Sequence, residues 1–306
     1  MGIDIAALIV EARHCMAAAG LVPRELWQNG AEAPERTPAR FKERLLALCG
    51  ENKIAIAVDK KPADFVCTLF PADVERYPKS VLATARIMNH LGVSWTFRSA
   101  DAGTTSLGLF SGEVEAQKTL MLSLVEGAIA AGAKTLILPE CGHAYGALRW
   151  EAANIYGKPL PFKVQHISEF LADQVSAGKL KLNSVGKTAT FHDPCQVSRR
   201  GGATEAPRIV LAALGLDLKE MFPTKATNWC CGGGGGVSAI KRADPLRYKV
   251  FHLKMEQVEE SGAELPITSC LGCRKSFDDG QAHYRWDKTM NSLVELVADN
   301  IAGAGR

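Results

Sequence analysis

The stretch LPITSCLGC (265–273) joins a short apolar run to two closely spaced cysteines, and the earlier stretch LILPEC (136–141) has a similar design. Each apolar run is of strand length and ends directly in a cysteine, Cys270 or Cys141. The two cysteines are 129 residues apart. A strand-plus-cysteine pattern that returns after a fixed interval indicates internal duplication.

Around these stretches, short apolar strand patterns alternate with longer amphipathic helix patterns. This alternation predicts an α/β fold of two pseudo-symmetric units with mainly parallel sheets. Sites in such folds open at the carboxyl ends of strands, so we expect the functional residues there. Strands are predicted at residues 63–70, 92–97, 135–139, 188–192 and 265–269, and helices at 2–19, 38–48, 79–91, 114–131, 205–214, 244–261 and 288–302.

The duplication divides the chain into unequal copies. Pro78 and Pro207, which each open a helix pattern, repeat the 129-residue spacing. In the first copy the stretch at 99–112 stands where the second copy has NWCCGGGGG (228–236), so only the second copy keeps paired cysteines. We expect a polar hinge at 175–187. The expected parts are an N-terminal helical segment (1–53), a degenerate α/β unit (54–180) and an intact unit (181–306).

Composition excludes several classes of protein. The chain has 306 residues, of which 47% are hydrophobic and 23% charged, as in ordinary globular proteins. Its longest apolar run, at 119–133, is shorter than a membrane span and contains Glu126. A net charge of +3 without a basic block gives no reason to expect nucleic acid as a partner. The N-terminus carries Asp4 where a secretory signal would be basic, so we expect a cytoplasmic protein.

The cysteines carry the chemical information. In a chain without an export signal, closely spaced cysteines are more often metal or redox ligands than structural disulfides. Iron–sulfur clusters and zinc both take thiolate ligands, and a set of five exceeds the four that tetrahedral zinc uses. Iron is therefore favoured, with a structural zinc module as the alternative. The set in the second unit is Cys195, Cys230, Cys231, Cys270 and Cys273, with gaps of 34 and 38 residues.

Two local patterns support this metal site. The glycines at 232–236 allow tight bends and positive φ, so their backbone N–H groups can approach an anionic cluster. In FHDPC (191–195), Pro194 fixes the chain directly before Cys195. We expect His192 and Asp193 to orient that cysteine. A flexible loop and an ordinary core histidine are the structural alternatives.

HDPC, CCGGGGG and SCLGC, in this order, resemble the CCG, or cysteine-rich, domain. That domain occurs in the B subunit of heterodisulfide reductase and in its fused D form. It also occurs in iron–sulfur subunits of glycolate, lactate and glycerol-3-phosphate oxidation. VDKKPADF (58–65), SWTF (94–97), GLFSG (108–112) and ECGHAY (140–145) are similar to the DsrK-like subunit of sulfur-oxidising, heterodisulfide-reductase-like complexes. The combined resemblance covers roughly residues 54–285.

The resemblance implies a non-cubane 4Fe-4S cluster, bound by the five cysteines, at which a disulfide is cleaved or two thiols are joined. Some domains of this pattern instead hold a simpler 2Fe-2S or 4Fe-4S centre. The chain lacks the ferredoxin motif of many relatives, so a ferredoxin-like HdrC-type subunit and an HdrA-like flavoprotein are the implied partners. The implied substrate is a sulfur carrier, lipoyl-bearing or DsrC-like, or a small disulfide. An electron relay without its own substrate is the functional alternative.

The remaining cysteines divide into one candidate and three structural residues. Cys141 follows a strand and precedes His143, so pseudo-symmetry predicts that both face the same crevice as catalytic or substrate-contacting groups. A buried hydrophobic role is the alternative for Cys141. Cys67 lies inside a strand pattern, and Cys15 and Cys49 lie in helix patterns, so we expect these three to pack in the core or an interface.

Overall fold

The computed structural model describes residues 3–23, 25–26, 37–100 and 110–303. Within these ranges the chain forms two four-stranded parallel sheets and twelve α-helices. The fold therefore confirms the predicted α/β class with two related units. It begins with two helices, α1 (Ile5–Ala18) and α2 (Pro38–Glu51), which match the predicted N-terminal pair. Asp4 and Thr37 cap them by accepting backbone N–H groups.

The first sheet has the strand order β2-β1-β3-β4, and every pairing is parallel. Its strands are short and mostly buried, as expected when helices cover both faces. The strands are β1 (Phe65–Cys67), β2 (Trp95–Phe97), β3 (Thr135–Leu138) and β4 (Lys163–His166). The helices are α3 (Pro71–Arg76), α4 (Pro78–His90), α5 (Val114–Ala130), α6 (Gly142–Trp150), α7 (Ala152–Tyr156) and α8 (Ile167–Ser176).

The second sheet has the order β6-β5-β7-β8 and is also parallel throughout. Three short 3-10 turns precede its longest helix. The strands are β5 (Thr188–His192), β6 (Asp217–Leu218), β7 (Leu265–Thr268) and β8 (Asn291–Ser292). The helices are α9 (Glu205–Ala213), α10 (Asp244–Glu260), α11 (Leu271–Tyr284) and α12 (Leu293–Asp299).

The two sheets repeat one topology, because in each the second strand lies outside the first and the third and fourth follow on the other side. Strand register makes the equivalence residue by residue. Val66 pairs with Leu136 and Ala189 pairs with Leu265, each partner five residues before its cysteine, Cys141 or Cys270. The duplication inferred from the cysteine spacing thus has a structural counterpart.

The same register identifies what the first unit lacks. Val66 and Ala189 are equivalent positions in the two units, so Pro71 and Pro194, five residues later, are equivalent as well. At the next position the first unit has Ala72 and the second has Cys195. Ala144 likewise stands where Cys273 stands. Cys67 falls at the position of Thr190, so its 128-residue spacing from Cys195 is coincidental. The stretch expected to replace the paired cysteines, 99–112, lies largely outside the described residues.

One hydrophobic core contains residues from the N-terminal segment and from both units. Its buried members come from α2, from both sheets and from the helices between them. Examples are Phe41 and Leu45 on α2, Phe97 and Ile137 in the first sheet, and Ile267 in the second. The segment predicted as a hinge is anchored to this core, because Leu180 is only 2% exposed and Leu182 forms a bridge with Ile301. That this segment acts as a hinge stays a prediction.

Some elements were not predicted from the sequence. β6 and β8 contain two residues each, too few to show a pattern, and β4 has the sequence KVQH, in which polar residues predominate. Helix α11 contains Gly272 and Gly280, which weaken any helix prediction. Across the described residues, no helix combines the length and the apolar content needed to cross a bilayer.

Candidate functional site

Three loops at the carboxyl edge of the second sheet bring the five cysteines together. Cys195 lies in the turn that follows β5, and Cys270 immediately precedes α11 after β7. Cys230 and Cys231 arrive from the loop between β6 and α10. Because β5 and β7 are adjacent parallel strands, their carboxyl ends place these loops side by side.

The five side chains surround one small cavity of about 10 Å³, which is also lined by Gly142, His143 and Gly234. Their thiols form a chain of hydrogen bonds. Side-chain hydrogen bonds join Cys195 to Cys230, Cys230 to Cys231, Cys231 to Cys273, and Cys273 to Cys270. Cys231, Cys270 and Cys273 are buried, whereas Cys195 and Cys230 are half-buried. The sulfur atoms thus meet in one place, as the spacing predicts.

Hydrogen bonds give the five thiols unequal acidity. Those from Cys195 and Cys231 lower the pKa of Cys230 far below its usual value, against the opposing effect of burial. A hydrogen bond from Cys273 lowers the pKa of Cys270 to about 6. The pKa changes in the opposite direction at Cys195 and Cys231, because the hydrogen bond with Cys230 raises it at both. Cys230 and Cys270 are therefore the two sulfurs that most readily become thiolates, the form of cysteine that binds metals.

The glycine run shapes the loop as expected. Gly232 adopts φ +82° and donates its N–H to Cys230 Sγ at 3.3 Å. Gly233 lies against α11, where a Cβ would approach Ser276 Cβ to 2.8 Å. Ser276 Oγ in turn donates to the Cys231 carbonyl at 2.6 Å. Gly235 donates to His143 Nε2 at 3.3 Å, so this loop also contacts the first unit.

A buried ion pair holds the turn that carries Cys195. Asp193 is 1% exposed, and both of its carboxylate oxygens accept N–H groups of Arg208 at 2.8 Å. The backbone N–H of Lys225 donates to the same carboxylate at 2.9 Å. Asn228 donates to the Asp193 carbonyl, which ties this turn to the chain just before Cys230. Asp193 therefore fixes two cysteine-bearing segments relative to each other, an extension of the orienting role expected for it.

The structure also brings Cys141 and His143 to this place. Both line a larger cavity of about 170 Å³, whose wall also contains Cys270. Burial raises the pKa of Cys141 to about 12 and lowers that of His143 to about 4. Pseudo-symmetry thus predicted the location of both residues. Their catalytic role remains a prediction.

The wall of this cavity includes two acidic residues that the sequence did not single out. Burial raises the pKa of Asp73 to about 7 and that of Glu140 to about 8. Glu140 accepts a hydrogen bond from Ser292 Oγ at 2.8 Å. The sequence signal for Glu140 was its position directly before Cys141, just after the predicted strand at 135–139 that leads to the crevice.

One further side chain behind the sulfurs was also missed. Lys254 on α10 is 1% exposed, and burial lowers its pKa to about 8 while the cysteines Cys231, Cys273 and Cys230 oppose this. The sequence signal for its burial was its position four residues after Val250 and four before Val258, which places Lys254 on the same helix face as these apolar residues.

The other cysteines lie away from the site. Cys49 and Cys67 are buried members of the main core, as expected. Cys15 is exposed in this chain, so it does not pack in the core, and the alternative of interface packing stays a prediction. On the exposed face of a short N-terminal helix, a small side chain costs little to leave in water.

These residues fit an iron–sulfur centre. The donor set consists of five sulfurs, and iron and zinc both accept such soft ligands. Backbone N–H groups of Gly232, Gly233, Gly142 and Gly272 point at cysteine sulfurs, as they do around anionic clusters. A buried lysine and a buried histidine add donors behind the sulfurs. Tetrahedral zinc would leave one thiol and these donors without a role.

Comparison with known proteins agrees with this assignment. Residues 189–278 match the cysteine-rich domain family, CCG, a span that contains all five cysteines. The chain therefore contains a cysteine-rich domain. The matched region begins in β5 and ends in α11, so it covers the strands and loops that build the site.

Three curated relatives extend the comparison. The chain is 31% identical over 225 residues to the D subunit of Dihydromethanophenazine:CoB--CoM heterodisulfide reductase from Methanosarcina barkeri, covering 72% of this chain and 54% of that protein. It is 30% identical to EtfAB:quinone oxidoreductase of Syntrophomonas wolfei, over 67% of this chain and 29% of that protein. It is 31% identical to the B subunit of Fumarate reductase (CoM/CoB) from Methanothermobacter marburgensis, over 59% of this chain and 36% of that protein.

These relatives are oxidoreductases or their subunits, and each similarity extends over more than half of this chain. The chain spans about half the length of the heterodisulfide reductase subunit that it matches. The resemblance to the D form of heterodisulfide reductase that the motifs indicated is thus confirmed.

Proposed function

We propose that this chain is an iron–sulfur oxidoreductase subunit that performs thiol–disulfide redox chemistry. Cys195, Cys230, Cys231, Cys270 and Cys273 would hold the cluster, which we propose to be a non-cubane 4Fe-4S centre. The observation that carries the proposal is the convergence of five cysteine side chains on one cavity within a cysteine-rich domain. When bound, the cluster supplies the electrons that convert a disulfide and two protons into two thiols.

The substrate would enter through the larger cavity. That cavity has a volume of about 170 Å³ and shares Cys270, Gly272 and His143 with the wall of the smaller one, so a bound sulfur compound would lie beside the cluster ligands. Cys141 would contact the substrate sulfur from the opposite wall. Because His143 Nε2 accepts the Gly235 N–H, the neutral ring carries its proton on Nδ1 and can offer it to a departing sulfur.

Electron supply requires partners. The relative from Methanosarcina barkeri belongs to a heterodisulfide reductase, and this chain spans about half of that protein. We therefore propose a multi-subunit sulfur-metabolism complex in the cytoplasm. In it a ferredoxin-like HdrC-type subunit and an HdrA-like flavoprotein exchange electrons with the centre. The substrate would be a lipoyl-bearing or DsrC-like sulfur carrier, or a small disulfide.

A second candidate is an electron-relay subunit without a substrate of its own. The observation that favours it is the nearly equal identity to EtfAB:quinone oxidoreductase, whose name describes electron transfer to a quinone. The relay would use the same five cysteines, so the two proposals differ only in whether a sulfur compound occupies the larger cavity.

Anaerobic purification with metal analysis tests the cluster. We expect several iron atoms and acid-labile sulfide per chain together with visible absorbance, and the loss of all three in Cys273→Ser. Cys15→Ser is the matched control, because Cys15 is exposed and should leave the iron content unchanged. Zinc in place of iron would refute the proposal.

Paramagnetic resonance then separates the two functions. A thiol that binds beside the cluster should perturb its signal, and Cys141→Ala should weaken that perturbation without changing the iron content. An unperturbed signal, combined with rapid reduction by a ferredoxin, would favour the relay.

A further inference from the structure

His192 has a side chain that is buried beside the cysteines of the site. It ends β5 and is 1% exposed. Within the part of the chain that the structure describes, neither Nδ1 nor Nε2 of its ring has a hydrogen-bond partner. Buried polar groups in native proteins are nearly always satisfied, so an imidazole with two orphan nitrogens requires an explanation.

The surroundings of the ring show where a partner would be. A ring nitrogen of His192 and the Sγ atoms of Cys231 and Cys273 all lie within 4.8 Å of one another. The ring packs against Phe277, with centroids 5.4 Å apart and planes tilted by 56°. Thr268 Oγ1 donates to the His192 carbonyl at 3.1 Å, which holds the backbone of the residue. The imidazole is therefore held against two of the proposed cluster ligands.

We propose that His192 donates an imidazole N–H to the sulfur of Cys231 or Cys273 when these bind the cluster, and that this bond raises the reduction potential. The inference rests on the proposed iron–sulfur centre. A thiol sulfur is a weak acceptor, whereas a metal-bound thiolate carries charge and accepts more strongly. This difference explains why the ring has no partner among neutral thiols.

Hydrogen bonding is favoured over iron ligation because five thiolates already provide the soft ligands that an iron–sulfur centre takes. The direction of the effect follows from charge. Reduction adds an electron to the centre, so its sulfurs accept hydrogen bonds more strongly in the reduced state. A donor thus stabilises the reduced form relative to the oxidised form, which raises the potential.

The test combines selective ¹⁵N-histidine labelling with redox titration of the purified, cluster-loaded protein. We expect a weak nitrogen coupling in the pulsed paramagnetic resonance spectrum of wild type and its loss in His192→Leu. The redox equilibrium of His192→Leu should shift about tenfold toward the oxidised form, which is about 59 mV for one electron. His192→Gln, whose amide can donate, should recover part of the shift. His252→Leu, at a half-exposed position on α10, should leave both readouts unchanged.

The outcomes are distinguishable from failure of the proposed function. A wild-type protein without iron would refute the centre itself. A loaded wild type without nitrogen coupling, or with a potential unchanged in His192→Leu, would overturn the role of His192 alone. Strong coupling typical of a direct iron–nitrogen bond would also overturn it, in favour of ligation. If His192→Leu fails to hold iron, the wild-type spectrum and His192→Gln still decide.

Discussion

Replacing Arg208 with methionine should destabilise the protein strongly while leaving each cysteine in the chain. Arg208 is the partner of the buried Asp193 carboxylate and makes two hydrogen bonds to it at 2.8 Å. Their side chains are 10% and 1% exposed, respectively. Without Arg208, the carboxylate keeps the Lys225 N–H but becomes an uncompensated buried charge.

The magnitude follows from this burial. Removing one partner of a buried ion pair costs about 3–5 kcal/mol, and the remaining Lys225 bond places Arg208→Met near the lower limit. The lost contact with Glu220, which is 31% exposed, adds less than about 1 kcal/mol. We therefore expect the free energy of unfolding to fall by about 3–4 kcal/mol.

Urea denaturation of the reduced, metal-free protein measures this loss, and iron content after reconstitution reports its effect on the site. The double variant Arg208→Met with Asp193→Asn removes the stranded charge and should recover about half of the lost stability. Arg200→Met is the control, because Arg200 is exposed on the same turn. A loss below about 1 kcal/mol in the single variant, or no recovery in the double variant, would refute the reasoning.

Three further predictions concern the loop, the acid and the lysine. Gly233→Ala should cost about 1–3 kcal/mol and lower the iron content, because its Cβ would meet Ser276 Cβ at 2.8 Å. Gly234→Ala should be tolerated, since the nearest atom would be 3.5 Å away. Burial raises the pKa of Glu140 to about 8, so the folded state retains a proton that the unfolded state loses near pH 4.5, and stability should fall between those values. Glu140→Gln should remove this part of the pH dependence in urea titrations. Lys254→Met should lower the cluster potential by on the order of 100 mV in redox titration, because a buried cation beside the sulfurs is lost.

Each of these predictions has a clear contrary result. Equal iron content in the two alanine variants would show that the loop is not confined by α11. A constant stability difference between wild type and Glu140→Gln from pH 5 to 8 would mean that this carboxyl is not protonated in the fold. An unchanged potential in Lys254→Met would place its amine away from the centre. Lys249→Met, at an exposed position on the same helix, is the control for the last change.

The sequence was most informative about the cysteines, because closely spaced cysteines have few structural roles. Five cysteines in the connections that follow strands predicted the location of the site, because parallel strands gather their carboxyl ends at one edge. The duplication was visible in the positions of Cys141 and Cys270, which register now supports residue by residue. Long helices such as α5 and α10 were also predicted within a residue or two.

The sequence was least informative where tertiary contacts decide the outcome. A lysine is expected at the surface, so the burial of Lys254 was not predicted. Its position on an apolar helix face does not show that the cysteines lie next to it. The connection at 175–187 was predicted as a hinge from its glycines and polar residues. That local pattern did not show that Leu180 is buried in the core, with Leu182 and Val185 packed against the same core. β6 and β8 exist only through pairing with β5 and β7, so no local pattern could reveal them.

The shared core has a consequence for the stability of the second copy. Phe41 and Leu45 near the N-terminus share that core with Ile267 and Leu293 from the cysteine-bearing half. Excising residues 181–306 would expose this apolar surface to water, so we expect the metal-binding half to be unstable by itself. A first copy without its cysteine ligands would still be needed as the packing partner of the second copy.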